Sequence, residues 1–563
     1  MKKRFNVTGL CIPKRHYMVN LTGRLAQIKE MVDDGAYFTI HRARQYGKTT
    51  LLHALESYLK TDYLVINLDF QKLGAAKFEN ENIFSLSFAS SFLKELARRE
   101  EPGSPDLTQE TEKLQNICGN RDVTYSLYEL FEDLNRICKL SNRPIVLMVD
   151  EVDSASNNQV FLDFLAQLRN YYLERETKET VTFQSVILAG LYDVKSLRAK
   201  IRPESAKKTN SPWNTHESNE LSESELSFSD CTWNQMVQAP FDIAADFDID
   251  LSFSETDIAG MLKEYENDYH TGMDLNEIAS LLYAYTSGYP FLVSRLCKLI
   301  DEKIAGSDDF PTGETAWTKD GFLAAVRLLL FEENTLFESL DNKLIDYPEL
   351  KQMLKELLLR GKPVPNIPGN QSMRMAVMFG FATAQNGFLK VANRIFETRL
   401  YDSFLAEESL NCEMSQLALA EKNQFIKNGL LDVDLILRKF VEHYTEIFDS
   451  HNEKFLEDDG RRIFLLYVRP IINGSGNYYI EANTRNHRRT DLILDFHGQQ
   501  TVIELKVWRG NEYNSRGEEQ LSEYLDYYHL NKGYMVSFNF NKKKQAGVQE
   551  ITLGNKVLVE AVI

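Results

Sequence analysis

The stretch Tyr37-Phe38-Thr39-Ile40-His41-Arg42-Ala43-Arg44-Gln45-Tyr46-Gly47-Lys48-Thr49-Thr50-Leu51-Leu52 decides how the N-terminal third of the chain is read. Residues 37–40 form a short apolar run of strand length, and residues 49–59 place Leu51, Leu52, Leu55 and Leu59 on one side of a helix. Between them runs a loop that ends Gly47-Lys48-Thr49. Backbone N–H groups at a helix N-terminus point toward anions, and Gly47 lets the chain approach them closely. In this setting Arg44, Gln45, Tyr46, Gly47, Lys48, Thr49 and Thr50 are expected to cradle the phosphates of ATP. Lys48 would neutralise the β and γ oxygens, and the Thr49 hydroxyl would ligate Mg²⁺. The loop departs from G-x-x-x-x-G-K-[ST] at its first glycine, where Arg42 stands.

Further buried strands are expected at 64–68, 145–149 and 186–189, alternating with helical patterns, which is the sign of an α/β domain on a parallel sheet. The strand at 145–149 closes on Asp150-Glu151-Val152-Asp153. An apolar run that ends on acids downstream of a phosphate loop supplies what hydrolysis needs. Asp150 would hold Mg²⁺ through water, and Glu151 would polarise the attacking water.

Composition bounds the rest. At 563 residues the chain is too long for one core. A hydrophobic fraction of 43% and a charged fraction of 26% are those of a globular protein. The formal net charge of −18 argues against non-specific coating of nucleic acid or anionic membrane. The cysteines, Cys11, Cys118, Cys138, Cys231, Cys297 and Cys412, have no metal-ligand spacing and read as reduced thiols. Without a leader-like or membrane-spanning run, a cytoplasmic protein with no membrane partner is expected.

The expected division is an ATPase domain over 1–240 with a Ser/Asn/Glu-rich insertion near 203–238, then a helical lid over 241–310. A winged-helix-like module follows over 311–405, with a hairpin from 375 to 391 turning at Gln385-Asn386-Gly387. Residues 254–300 read as a helical segment, 406–450 as an amphipathic helical connector, and 451–563 as a second α/β unit.

In that last unit the informative constellation is Asp491 with Glu504-Leu505-Lys506. Residues 491–496 read as a buried strand, 501–507 as another, and His497-Gly498-Gln499-Gln500 as the turn between them. Period-two geometry puts Glu504 and Lys506 on one sheet face, and pairing across the hairpin can bring Asp491 there too. Two carboxylates and a lysine on one face suit metal-assisted phosphodiester hydrolysis. The acids bind Mg²⁺, a hard ion that prefers oxygen, with Mn²⁺ as an alternative, and the lysine positions water or steadies charge.

Two resemblances follow from these motifs. Arg-x-Arg-Gln-Tyr-Gly-Lys-Thr with a DEVD-type second motif resembles the STAND-related branch of AAA+ ATPases, and within it the bacterial AAA-ATPase-like family. Tyr17-Met18-Val19-Asn20 is similar to that family's entry segment. Gly288-Tyr289-Pro290 resembles the GxP signature, which implies that Pro290 lies near the adenine. The resemblance offers Arg295 as a second sensor and Arg198 or Arg202 as arginine fingers. The C-terminal order of helix, strand, Asp-bearing strand, Glu-x-Lys strand, helix and strand resembles the PD-(D/E)XK nuclease superfamily. That resemblance adds Glu457 as a further metal-binding acid and Gln520 with Tyr524 as a Gln-x3-Tyr feature. It departs at Arg488, where relatives tend to have glycine.

Basic residues agree with a nucleic-acid partner: Arg485, His487, Arg488 and Arg489 before Asp491, Arg509 and Arg516 after Lys506, and Lys542-Lys543-Lys544. Two readings stand at this point. One is an ATP-controlled metal-dependent nuclease. The other is a non-catalytic nucleotide switch that binds a protein partner through a vestigial nuclease fold. DNA and RNA both stand as the nucleic-acid partner, and a homo-oligomer is compatible with either reading.

Overall fold

The computed structural model describes residues 2–98, 105–120, 123–155, 158–178, 180–191, 243–359, 364–367, 369–410, 412–448, 457–472, 476–479, 492–497, 499–508, 511–527, 530–541 and 544–563. The insertion near 203–238, Arg198, Arg202, Arg485, His487, Arg488, Arg489, Asp491, Arg509, Lys542 and Lys543 lie outside the described residues. The chain divides into two compact units. One comprises Met1–Glu264 with Tyr289–Phe291 and Met378–Gly380, and the other holds the remainder.

The first unit is built on four parallel strands: β1 (Tyr37–His41), β2 (Leu64–Asp69), β3 (Ile145–Asp150) and β4 (Ser185–Gly190). Their order is β1-β4-β3-β2, with Tyr37 opposite Val186, Val146 opposite Ser185 and Leu64 opposite Ile145. Successive side chains leave opposite faces, so each apolar strand feeds two cores, as a sheet covered on both sides requires. On one face Phe38, Ile40, Val146, Met148 and Ile187 pack with α1 (Thr22–Asp33) and α2 (Lys48–Leu59) through Ile28, Val32, Leu51, Leu52 and Leu55. On the other, Ile66, Leu147, Val186 and Leu188 meet α3 (Glu81–Ala97), α5 (Leu127–Leu140) and α6 (Gln159–Lys178). Between α3 and α5 lies α4 (Pro105–Gly119). Ser126 starts α5 with a capping box to Glu129. Residues 243–252 return along the free edge of β1, where the Ala245 N–H donates to the Tyr37 carbonyl at 2.7 Å.

Residues 254–300, read as one helical segment, hold three helices: α7 (Glu255–Tyr269), α8 (Leu275–Thr286) and α9 (Pro290–Leu299). Asp274 caps the start of α8, and Ser287 and Gly288, both at positive φ, end it.

The second unit continues with α10 (Lys319–Leu330), α11 (Thr335–Asp346), α12 (Pro348–Leu359), β5 (Val364–Pro365), α13 (Gln371–Met378), β6 (Ala382–Gln385) and β7 (Phe388–Val391). The expected hairpin from 375 is therefore too long, because residues 375–378 belong to α13. Its turn stands as read: Asn386 at φ 50° and Gly387 at φ 80° give the left-handed pair of a two-residue hairpin loop.

The 406–450 connector is not one helix. It comprises the end of α14 (Arg394–Ser409), then α15 (Glu413–Ala420), a two-stranded ladder of β8 (Ile426–Lys427) and β9 (Leu430–Leu431), and α16 (Val433–Ile447). Asn428 and Gly429, at φ 52° and 80°, make the turn that breaks it. These helices pack on the C-terminal sheet. Ser415 Oγ donates to the Leu466 carbonyl at 2.8 Å, and Asp434 pairs with Lys532 at 2.8 Å.

That sheet has six strands: β10 (Gly476–Tyr479), β11 (Leu492–Phe496), β12 (Gln499–Val507), β13 (Lys532–Phe538), β14 (Gly547–Leu553) and β15 (Lys556–Val562). The order is β10-β11-β12-β13-β15-β14, with β12–β13 and β13–β15 parallel and the other pairs antiparallel. Before it comes α17 (Glu457–Ile472), and α18 (Asn511–Tyr527) is the crossover between β12 and β13. Gly460 of α17 lies so close to the sheet that a Cβ there would sit 2.3 Å from the Phe538 ring.

Candidate nucleotide site and C-terminal carboxylate–lysine cluster

In the first unit the carboxyl ends of β1 and β3 carry the loop and the acids, with β4 between them. Gly47 is at φ 81° and opens α2. Gln45, two residues earlier, is also left-handed at φ 58°. Lys48 is buried, and its ammonium donates to the carbonyls of Arg42 at 3.0 Å and Ala43 at 3.3 Å. Burial lowers its pKa, opposed by the charges of Asp153, Glu151 and Asp150.

The Thr49 hydroxyl donates to Asp150 Oδ2 at 2.8 Å, joining the residue after the loop lysine to the acid 101 positions on. The Glu151 N–H donates to Asp150 Oδ1 at 2.9 Å. Burial pushes the carboxyls of both Asp150 and Glu151 above the ordinary range. Glu151 is itself left-handed at φ 56°, so the chain turns sharply as it leaves β3. A hydroxyl and a carboxylate that meet at a phosphate loop are hard oxygen donors of the kind Mg²⁺ takes.

Thr50 takes a different part, its hydroxyl accepting the Cys11 N–H at 3.2 Å. Arg44 is exposed on the loop. Pro290 is the first residue of α9, and the preceding Tyr289 stands edge-on to Tyr46 with ring centroids 4.6 Å apart. Arg295 is held in an ion pair by Glu332, which accounts for its charge within the second unit.

Three residues at this site make contacts that the sequence reading did not assign. Arg42 fastens the returning 243–252 segment, donating to the Ile249 carbonyl at 2.9 Å, with its guanidinium 5.6 Å from the Phe247 ring centroid. Asp153 accepts the Leu191 N–H at 2.6 Å and ties the end of β3 to that of β4. Gly190 makes this possible, since a Cβ there would stand 2.7 Å from Asp153 Oδ1. The sequence had marked Arg42 only as the departure from the first glycine of the loop and Asp153 only as the last acid of the strand-end run.

In the second unit, Glu504 and Lys506 of β12 share a face as period two requires, with Lys506 Nζ 3.0 Å from Glu504 Oε1. Lys506 also donates to Gln520 Oε1 at 3.2 Å, and Gln520 Nε2 donates to the Tyr524 hydroxyl at 3.1 Å. Gly517 lets α18 lie close, with its ideal Cβ 3.3 Å from Lys506 Cε. Glu504 is only 1% exposed, so the ammonium beside it offsets the desolvation of its charge. The β11–β12 register pairs Leu492 with Ile503 and Asp495 with Gln500, which puts buried Asp495 on the face of Glu504. Asp491 lies outside the described residues, as do the side chains of Glu457 and Arg516. Among the described residues no group of three His, Cys, Asp or Glu side chains is arranged to hold a metal ion.

Glu560 was not foreseen. Met535 pairs with both Glu504 and Glu560, so Glu560 lies on the same face two strands away. Ser537 Oγ and Gln549 Nε2 donate to it at 2.6 and 2.8 Å. A lone acid in the apolar run Val557-Leu558-Val559-Glu560-Ala561-Val562 was the available signal.

Residues 14–192 match the family model described as an AAA-like domain. No curated protein matches the chain. Among solved structures, a Walker-type ATPase of Pyrococcus abyssi is similar at 13% identity and a TM-score of 0.41, over 70% of this chain and 99% of that one. The ORC2 protein of Aeropyrum pernix, in ADPNP–ADP complexes, is similar at 12% identity and a TM-score of 0.36, over 72% of this chain and 97% of that one. The ORC1 protein of the same organism, in complex with DNA, is similar at 13% identity and a TM-score of 0.26, over 69% and 94%. At these TM-scores the likenesses are too distant to carry an assignment. The N-terminal unit is an AAA-like, P-loop NTPase type of domain, and the C-terminal sheet is mixed. Among the described residues no helix is long and apolar enough to cross a membrane.

Proposed function

We propose that the first unit binds and hydrolyses ATP with Mg²⁺, and that the nucleotide controls a metal-dependent phosphodiesterase site on the C-terminal sheet that acts on nucleic acid. The 2.8 Å contact of Thr49 Oγ1 with Asp150 Oδ2 supports the first half, because it brings together the two oxygen donors that hydrolysis requires. Lys48 and the loop amides bind phosphate, Thr49 and Asp150 would hold Mg²⁺, and Glu151 orients and deprotonates water. Its carboxyl, raised by burial, is the more basic for that role. Held there, Mg²⁺ would supply charge neutralisation to the phosphates.

The Glu504–Lys506–Gln520 chain supports the second half. Asp491, immediately before Leu492, and Glu457, the first residue of α17, complete the proposed set with Glu504 as oxygen donors for Mg²⁺ or Mn²⁺. Bound there, the ion would polarise a phosphate and acidify water. Lys506 places the nucleophile, held in line by Gln520.

The test is cleavage of single- and double-stranded DNA and RNA by the full chain, with and without ATP, in Mg²⁺ and in Mn²⁺. Metal-dependent cleavage lost in Glu504→Gln, and ATP turnover lost in Lys48→Ala, are the expected results. ATP binding with every nucleic acid left intact under both metals would leave a nucleotide switch with a non-catalytic C-terminal sheet.

A further inference from the structure

The phosphate loop is gripped from outside as well as from within. Lys48 holds the Arg42 and Ala43 carbonyls on its inner side. The next carbonyl, that of Arg44, accepts a hydrogen bond from the hydroxyl of Tyr289. The Tyr289 ring lies edge-on to Tyr46, whose own hydroxyl is 2.7 Å from Ser252 Oγ. Gly380, at φ 83°, backs onto the same place: a Cβ there would stand 2.7 Å from Ala43 Cβ and 3.9 Å from the Tyr289 ring. Tyr289 and Gly380 both belong to the compact unit that contains the loop.

A trans peptide is planar, so its C=O and N–H point in opposite directions. Holding the Arg44 carbonyl on Tyr289 therefore turns the Gln45 N–H away from Tyr289. Gln45 at φ 58° and Gly47 at φ 81° give this stretch alternating left-handed residues, the backbone form that gathers successive N–H groups around an anion. Burial, with Tyr46 beside it, raises the Tyr289 hydroxyl well above the ordinary tyrosine range, so it stays protonated as a donor.

We propose that Tyr289 is a positioning residue for the phosphate loop, fixing the Arg44–Gln45 peptide so that the Gln45 amide donates to the β-phosphate of a bound nucleotide. This rests on the nucleotide-binding reading above and deepens it. Tyr289 acts through the loop backbone, so its effect depends on the phosphates and not on the base.

The experiment is titration of full-length Tyr289→Phe with ADP, MgATP and AMP, the last by competition against labelled ADP. The variant keeps the ring on Tyr46 and deletes only the hydroxyl. ADP and MgATP are expected to bind about 10-fold more weakly, a loss of about 1.4 kcal/mol as for one net hydrogen bond, with AMP unchanged. Gly380→Ala, which presses on Ala43 from the same side, is expected to show the same selectivity for ligands with a β-phosphate. ADP affinity unchanged within twofold in Tyr289→Phe would overturn the proposal. Equal weakening of ADP and AMP would overturn it too, making Tyr289 a base contact or a general prop. A wild-type chain that binds no ADP would instead sink the nucleotide reading on which the proposal stands.

Discussion

Replacing Thr49 by valine keeps the shape of the side chain and deletes one hydrogen bond, the 2.8 Å donation to Asp150 Oδ2. Asp150 is 6% exposed, and its other carboxylate oxygen accepts the Glu151 N–H at 2.9 Å. A hydrogen bond to a charged group is worth about 1.5–3 kcal/mol. Thr49 itself is exposed, so water replaces part of the lost donor, and a cost of about 1–2 kcal/mol is expected. At roughly 2–4 °C per kcal/mol for a unit of this size, the melting temperature should fall by about 2–8 °C at pH 8.

The pH dependence has a definite sign. The Thr49 bond favours ionised Asp150, whereas burial raises its pKa. Asp150 therefore contributes stability below its unfolded pKa and loses it as pH rises through the raised folded value. Removing the hydroxyl raises the folded pKa further, so the gap between Thr49→Val and wild type should close as pH falls through that titration. Thr49→Ser should restore both stability and the melting shift given by MgATP, and in an Asp150→Asn background the valine should cost less than about 1 kcal/mol. Scanning fluorimetry from pH 5 to 8 reads all of this. An equal penalty with and without the Asp150 charge, or no penalty at pH 8, would refute the coupling.

Arg42→Gly, which restores the usual first glycine of the loop, should destabilise the first unit by about 1–2 kcal/mol without tightening ADP binding, because it releases Ile249 and Phe247; denaturant melts and ADP titration check it. Gly460→Ala should destabilise the second unit by about 1–2 kcal/mol: the helix gains about 1 kcal/mol of propensity, but a methyl 2.3 Å from the Phe538 ring overpacks by more, and a smaller residue at 538 should rescue it in thermal melts. Lys506→Met should cost about 3–5 kcal/mol by leaving buried Glu504 without its ammonium, and Glu504→Gln added to it should recover much of that loss in urea unfolding.

The parallel strands and α2 were legible because each is a continuous apolar run or a clean helical stripe, and the pairing of Glu504 with Lys506 followed from period two alone. The Thr49–Asp150 contact was legible as a pairing of motifs. What the sequence hid has physical causes. Arg42 looked like a missing glycine because its partners, Ile249 and Phe247, are some two hundred residues away. Tyr289 looked like the spacer in Gly-x-Pro because its hydrogen bond is to a backbone carbonyl, which has no residue signature. The 406–450 segment passed for one helix because the strands joined by the turn at Asn428-Gly429, 426–427 and 430–431, are too short to show a period of two.

Lys48 already has its ammonium on two backbone carbonyls in a buried setting. The dehydration of that cation is thus a cost of folding and is not incurred again when a ligand arrives. An arriving phosphate still sheds its own water, but it exchanges neutral acceptors of the ammonium for anionic ones without a second dehydration of the lysine. Lysine methylation reagents should accordingly react slowly at Lys48 whether or not nucleotide is present, and the ligand's signature should fall on the loop amides.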